Sequence, residues 1–421
     1  MTAEPEIITF GCRLNSFESE VMRGQVRKAG LGDAVIVNTC AVTAEAERQA
    51  RQAIRRARRR RPGARIIVTG CAVQIDPGRY AAMPEVDGVL GNTEKLAAAS
   101  FGPGGAAPFQ VADIMTARQT ATHVGTQMVE GLEGRARAFL QVQQGCDHRC
   151  SFCIIPFGRG PSRSVAPDQV IEQARRLVAN GYGEIVLTGV DVTSYGGDEP
   201  AGPRLGGLVR RLLDALPELP RLRLTSLDPA ALDEELMQGC LADPRLMPHF
   251  HLSLQSGDDV VLRRMKRRHS RADAVQLCAD IRRHRPEAIF GADLIAGFPT
   301  ESEAAFAATA ALIEDCGLTY LHVFPYSARP GTAAARMPQL PAAICKQRAA
   351  VLRELGETAL AAYLRGRLGS RQRVLVEDGR SGRTESYAAV TLDRSDLSPG
   401  SIVETRVTGT DGKTLTAEVV T

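Results

Sequence analysis

Apolar residues gather in short unbroken runs: Ile7-Ile8, Val35-Ile36-Val37, Ile66-Ile67-Val68. Runs of this kind, inside expected strands at 6–10, 34–38 and 65–69, belong to strands buried on both faces, which implies a parallel sheet covered by helices. Segments 18–29 and 44–61 between them have helical composition, and Pro62-Gly63 stops the second. The middle of the chain repeats the rhythm. Strands are expected at 184–187, 221–225, 250–254, 289–295 and 320–324, and helices at 167–180, 272–285 and 303–315. With a strand at 137–143 this makes six, a partial or complete parallel barrel with its chemistry on loops at the carboxyl ends of the strands. After a helix at 342–365, short strands at 373–377, 387–390, 401–407 and 414–419 suggest a small antiparallel barrel of the oligonucleotide-binding sort. The fold class is therefore α/β: a parallel-sheet domain over 1–105, a linker over 106–134 that starts near the Gly/Pro-rich stretch 101–108, a partial (β/α) barrel over 135–366, and the small barrel over 367–421.

A chain of 421 residues with 44% hydrophobic content suits two or three domains with ordinary cores. No apolar run is long enough to cross a bilayer. The start, Met1-Thr2-Ala3-Glu4-Pro5-Glu6, lacks the basic region of a secretory signal, so a cytoplasmic location is expected. In that reducing setting the ten cysteines are ligands or buried thiols rather than disulfides.

The net charge of +4 does not by itself imply nucleic acid, but its distribution does. Arg48, Arg51, Arg55, Arg56, Arg58, Arg59, Arg60 and Arg61 crowd one helix, with Glu45 and Glu47 alone to offset them nearby. Such a stripe is either a solvated face or a phosphate-binding surface, and its density favours phosphate. The run Arg263-Arg264-Met265-Lys266-Arg267-Arg268 adds to it.

Six cysteines carry the candidate chemistry. Cys146, Cys150 and Cys153 stand in the spacing Cys-x3-Cys-x2-Cys, close enough to converge on one soft metal centre. A zinc knuckle would need a fourth ligand, and His148 could supply it; three thiolates on a four-iron cluster would leave one iron open. Cys12, Cys40 and Cys71 each follow one of the first three strands. In an open parallel sheet those strand ends share one edge, so the three cysteines can meet. The barrel's strand-end loops carry Gly189, Gln255 and Gly297.

Thr9-Phe10-Gly11-Cys12-Arg13-Leu14-Asn15, Asn38-Thr39-Cys40-Ala41-Val42-Thr43, Gly70-Cys71-Ala72 and the stretch from Cys146 to Gly160 together resemble the radical S-adenosylmethionine (SAM) methylthiotransferases over essentially the whole chain. The resemblance implies two [4Fe-4S] clusters. One, on the catalytic Cys146, Cys150 and Cys153, chelates SAM and supplies the electron that cleaves it to a 5'-deoxyadenosyl radical. The other, an auxiliary cluster on Cys12, Cys40 and Cys71, carries the sulfur. It also implies that Gly189, Gln255 and Gly297 cradle SAM and that the C-terminal barrel is an RNA-binding TRAM-like domain. The phrases Glu47-Arg48-Gln49-Ala50-Arg51, Cys146-Asp147-His148-Arg149-Cys150 and Leu187-Thr188-Gly189-Val190-Asp191 look like the branch that acts on N6-threonylcarbamoyladenosine at position 37, in the anticodon loop of tRNA. Other branches act on isopentenyladenosine or on an aspartate of a ribosomal protein. An electron donor such as flavodoxin or ferredoxin, and a sulfur donor, are the further implied partners. The reading of a different class is a non-catalytic zinc or iron–sulfur RNA-binding protein. A threonylcarbamoyl group bears a carboxylate, which calls for an arginine; Arg159 and Arg329, on loops expected near the site, are the candidates, and the alternative is that each pairs with an acid such as Asp191.

Overall fold

The computed structural model describes residues 5–102, 109–117, 131, 134–199 and 202–420. Most of the expected linker at 106–134, and part of the Gly/Pro-rich stretch, fall outside the described residues. Strands β1 (Glu6–Thr9), β2 (Ala34–Thr39), β3 (Arg65–Gly70), β4 (Gly88–Leu90) and β5 (Phe109–Gln110) form one parallel sheet in that order. All six residues of β2 are buried, as its apolar run requires. β5 lies beyond the expected domain end at 105, so the sheet recruits a strand from the segment read as linker. Helix α1 (Arg13–Ala29) turns Leu14, Phe17, Val21 and Met22 inward and stops at Gly30, whose left-handed φ of 65° suits glycine. Helix α2 (Ala44–Arg60) begins at Thr43, whose hydroxyl accepts from the Ala46 amide, and buries only Ala50, Ala53, Ile54 and Ala57. Short helices α3 (Cys71–Ile75) and α4 (Pro77–Ala81) follow β3.

The central region contains six parallel strands. β6 (Ala138–Gln141), β9 (Glu184–Thr188) and β10 (Arg221–Arg223) form one hydrogen-bonded group, ordered β10-β9-β6. β11 (His249–Gln255), β12 (Ile289–Ala296) and β13 (Leu318–Pro325) form the other. The bridges Leu222–Leu246 and Leu227–Leu252 join the two groups into a partial barrel. A two-stranded ribbon, β7 (Gln143–Gln144) with β8 (Arg163–Ser164), brackets the Cys146–Cys153 loop and helix α5 (Ile155–Arg159). Outer helices α6 (Pro167–Ala179), α7 (Leu205–Ala215), α9 (Arg271–His284) and α10 (Glu303–Asp315) cover the sheet, with α8 (Asp259–Met265) leading into α9. Residues of β6, β9, β11 and β12 share one large core that reaches α6, α7 and α10.

Helix α11 (Ala342–Arg365) leads to the last region, where β14 (Arg371–Val376), β15 (Ser381–Thr384), β16 (Ala389–Leu392), β18 (Leu415–Val419) and β17 (Ile402–Thr410) close into a barrel in that order. The expectation of an antiparallel barrel of four strands needs two corrections: β15 is a fifth strand, and β16 pairs β18 in parallel, which closes the ring. The barrel docks against the inside of the central sheet. Glu184 of β9 sits beside Arg137, Arg221 and Arg223, and these arginines reach Glu377 and the backbone oxygens of Arg373 and Glu385. Burial alone would raise the Glu184 carboxyl; the three arginines outweigh it and hold it at about 2. No helix among the described residues is long and apolar enough to cross a membrane.

Candidate active site

The parallel register sets Thr9 beside Asn38 and Thr39 beside Gly70, so β1, β2 and β3 end on one edge and deliver Cys12, Cys40 and Cys71 there. Two glycines make the approach possible. Gly11 has φ +96°, and a Cβ on it would lie 2.8 Å from both Cβ and Sγ of Cys40. Gly70 has φ +99°, and a Cβ on it would collide with the Thr39 backbone. Burial raises the thiols of Cys12 and Cys40, Cys40 to about 12, and Cys71 nearby raises both further. Cys12 also forms part of the wall of a cavity of about 410 Å³ that Arg13, Ser16, Arg137 and Tyr387 help to line.

Behind this edge lies a buried polar network. Arg159, at the end of α5, donates through Nε to Cys71 Sγ at 3.0 Å and through its terminal nitrogens to Glu18 and Asn15. Glu18 Oε2 also accepts from Lys95 Nζ at 2.7 Å, and its Oε1 from Gln144 at 2.8 Å. Arg159, Glu18 and Lys95 are all essentially inaccessible. A guanidinium cannot shed its proton, so its N–H remains a donor to the Cys71 sulfur.

The Cys146–Cys153 loop is held differently. Burial raises Cys146 to about 12, with Asp191 adding to it, and Cys153 to about 11. Arg267 NH1 lies 3.7 Å from Cys150 Sγ. Gln143 fixes the loop to β9: its Nε2 donates to the Gly145 oxygen at 2.7 Å, and its Oε1 accepts from the Val190 and Asp191 amides at 3.0 and 2.9 Å. Among the described residues, the groups of three whose ligand atoms all lie within 4.8 Å of one another are Cys146–His148–Asp191 and His251–Asp293–His322; neither cysteine triplet is among them. Ligands of one zinc ion must lie that close. Thiols spread more widely fit a cluster whose irons are separate, so both triplets suit [4Fe-4S] better than a single ion. His148, the fourth ligand of the zinc reading, lies 2.9 Å from Asp191 and groups with it and Cys146 alone of the three cysteines.

The remaining expected site residues fare unevenly. Gly189, Gln255 and Gly297 do stand at the carboxyl ends of β9, β11 and β12. The space at Gly189 is filled by Gln143, and that at Gly297 by Cys345 of α11, so packing by itself requires glycine at both positions. Gln255 has φ +70° and Ser226 φ +56°; non-glycine residues in this region cluster at functional sites. Arg159 is not placed to read a substrate carboxylate, because Glu18, Asn15 and Cys71 take its donors. Arg329 pairs with Glu47 rather than Asp191. The second basic run is not a phosphate surface throughout: Arg267 turns inward to Cys150, the Ser253 oxygen and Asp228, and Arg264 donates to Thr300. Sequence reasoning missed Glu18 and Lys95. Glu18 carried a signal, an acid among the inward positions of α1, whereas Lys95 carried none. It also missed Asp293, which contacts His251 at 3.0 Å and His322 at 3.3 Å across three strands. Their alternation with Leu252, Ala292 and Leu294 of the core was the available signal.

Comparison with known proteins shows the family. The radical SAM superfamily model matches residues 140–313, and that of the uncharacterized protein family UPF0004 matches residues 5–91. Among solved structures, the radical SAM methyltransferase TsrM from Kitasatospora setae superimposes with a TM-score of 0.56 at 15% identity, covering 79% of this chain and 75% of its own, a likeness of fold alone. The chain belongs to the radical SAM methylthiotransferases. Its relatives include the threonylcarbamoyladenosine tRNA methylthiotransferase MtaB of Rickettsia prowazekii, 48% identical over 96% of this chain and 94% of that protein. MtaB of Aquifex aeolicus is 34% identical over 90% and 94%, and the tRNA-2-methylthio-N(6)-dimethylallyladenosine synthase of Cereibacter sphaeroides 34% over 98% and 97%.

Proposed function

We propose that this enzyme converts N6-threonylcarbamoyladenosine at position 37 of tRNA to its 2-methylthio derivative. The observation that carries the two-site reading is the Arg159–Cys71 hydrogen bond: the helix that follows Cys153 ends on a cysteine of the other triplet. The 48% identity to an MtaB, against 34% to a dimethylallyladenosine synthase, supports the threonylcarbamoyl substrate.

When bound, two [4Fe-4S] clusters and SAM supply the electron, the radical chemistry and the sulfur that an unactivated adenine C2–H requires. Cys146, Cys150 and Cys153 hold one cluster, and Cys12, Cys40 and Cys71 the other. Gln143 keeps the first loop in register with the end of β9. Arg159 donates to the Cys71 sulfur and orients it from the protein side. The C-terminal barrel and the exposed Arg56 and Arg59 of α2 are the proposed tRNA contacts. A flavodoxin or ferredoxin would deliver electrons and a separate donor would renew the sulfur, in the cytoplasm.

Nucleoside mass analysis of tRNA from a strain lacking the gene tests the substrate. The 2-methylthio derivative of N6-threonylcarbamoyladenosine should vanish while the unmethylthiolated nucleoside accumulates. Loss of a methylthiolated isopentenyladenosine instead would assign the other branch. Anaerobically purified protein that is colourless and zinc-loaded would favour the non-catalytic reading.

A further inference from the structure

Away from the cysteines, three arginines from three elements converge. Arg51 of α2, Arg79 of α4 and Arg329 of the loop after β13 line one cavity of about 490 Å³, together with Glu47 and Tyr80. Glu47 lies among them: Arg329 donates to it, Arg79 NH1 is 3.5 Å away and Arg51 NH1 3.9 Å. The other acid on the wall, Asp76, is occupied in capping α4 through the Arg79 amide at 3.2 Å. Three guanidiniums thus share one carboxylate.

Two of them are unsatisfied. The Arg329 side chain is only 8% exposed, and its Nε has no hydrogen-bond acceptor among the described residues; the buried NH1 of Arg51 has none either. Buried N–H groups without acceptors are costly and uncommon. A carboxylate offers two acceptor oxygens, one for each of these N–H groups, and hydrogen bonds from guanidinium to carboxylate are charge-assisted and strong. The cavity also adjoins both cysteine sites, because Ala72 and Ile154, the residues directly after Cys71 and Cys153, are in its wall.

We infer that this cavity binds the threonyl carboxylate of the substrate, with Arg51 and Arg329 as the reading pair and Glu47 holding them in place. The inference rests on the threonylcarbamoyladenosine reading above. A tRNA backbone phosphate has related chemistry, and the test separates the two. Two anticodon stem-loops would be compared on the full, cluster-loaded chain: one bearing N6-threonylcarbamoyladenosine at position 37, the other the same group with its carboxylate converted to a carboxamide. The wild type should bind the carboxylate probe about tenfold or more tightly than the amide, the size of one lost charge-assisted contact. Arg51→Met and Arg329→Met should each weaken the carboxylate probe about tenfold and leave the amide probe unchanged. Iron content and cluster absorbance should stay at wild-type levels. Arg51→Lys should recover part of the preference, which guards against a methionine variant that misfolds. Equal weakening of both probes would assign the arginines to phosphate or to structure and overturn the inference. A wild type that methylthiolates the carboxylate probe without preferring it overturns the cavity assignment alone. A wild type that turns over neither probe overturns the substrate reading, and the cavity assignment with it.

Discussion

Cys146, Cys150 and Cys153 lie within eight residues of one loop, whereas Cys12, Cys40 and Cys71 come from three strand ends that only the sheet brings together. The loop is held by uncharged hydrogen bonds, from Gln143 to the Gly145 oxygen before it and from the Ser151 amide and hydroxyl to the backbone oxygens of Met265 and Arg264, with one arginine at 3.7 Å from Cys150. The sheet edge is backed by a fully buried ionic network in which Arg159 touches Cys71 directly. The first site depends on chain proximity. The second depends on the fold of one region and on Arg159 arriving from another. Damage to the barrel's loop should therefore stay local, while damage near the sheet edge should reach folding and domain docking as well.

The sharpest break of that comparison comes from the cysteines. Replacing Cys146, Cys150 and Cys153 together with alanine should remove roughly half the iron and abolish 5'-deoxyadenosine formation. Replacing Cys12, Cys40 and Cys71 should also remove roughly half the iron but leave 5'-deoxyadenosine formation under strong reductant, with no methylthio product even when sulfide is added. A folded auxiliary triple variant that still methylthiolates tRNA would reduce those cysteines to a structural role. Next in size is Glu18→Gln, which leaves Arg159 and Lys95 buried without their carboxylate. Breaking a buried pair in this way costs about 3–5 kcal/mol, and a denaturant titration should show it. The corresponding loop change, Gln143→Ala, should cost less in stability and should reduce SAM cleavage first.

Gly11→Ala sharpens the contrast at one atom. The added Cβ meets Cys40 at a φ that alanine rarely adopts, so the auxiliary cluster should be depleted while the SAM-cleaving cluster remains, as paramagnetic resonance of the reduced protein would resolve. Proton release should affect both sites alike. Cys40 and Cys146 are raised to about 12 and Cys153 to about 11, so each must lose a proton that the metal-free fold retains. Iron loading should therefore strengthen as pH rises from 6 to 8, and a flat profile would mean that the thiols ionise more easily than their burial implies. The smallest effect is at α2. Arg60 pairs with Glu6 and Arg58 contacts Asp87, so much of the arginine stripe is already spent. Arg56→Gln with Arg59→Gln should lower the slope of log affinity for tRNA against log salt by about 1.5; no change would make the stripe a solvated face.

Elements with strong periodicity were legible from residues alone. The helices at 303–315 and 342–365 have the expected bounds, and the buried runs of β2 and β3 are strands. The short strands β4, β5 and β15 were not, because two to four residues carry too little pattern to stand out. Arg159 and Arg267 show where charge is misread. Both sit in stretches that look like surface or active-site loops, and both turn inward to a cysteine.

What the sequence determined by itself is what local physics encodes. Partition of apolar side chains from water marks each strand and helix, and cysteine spacing marks a loop able to hold a metal centre. Even the meeting of Cys12, Cys40 and Cys71 was foreseeable, since parallel strands share one carboxyl edge. Only the tertiary structure decided which charges lose water together. Glu18 and Lys95 are 77 residues apart, and Arg329 and Glu47 are 282 apart. An ion pair forms in the interior only where two segments of the chain close around it and exclude solvent, and no local pattern records which partner will be waiting there.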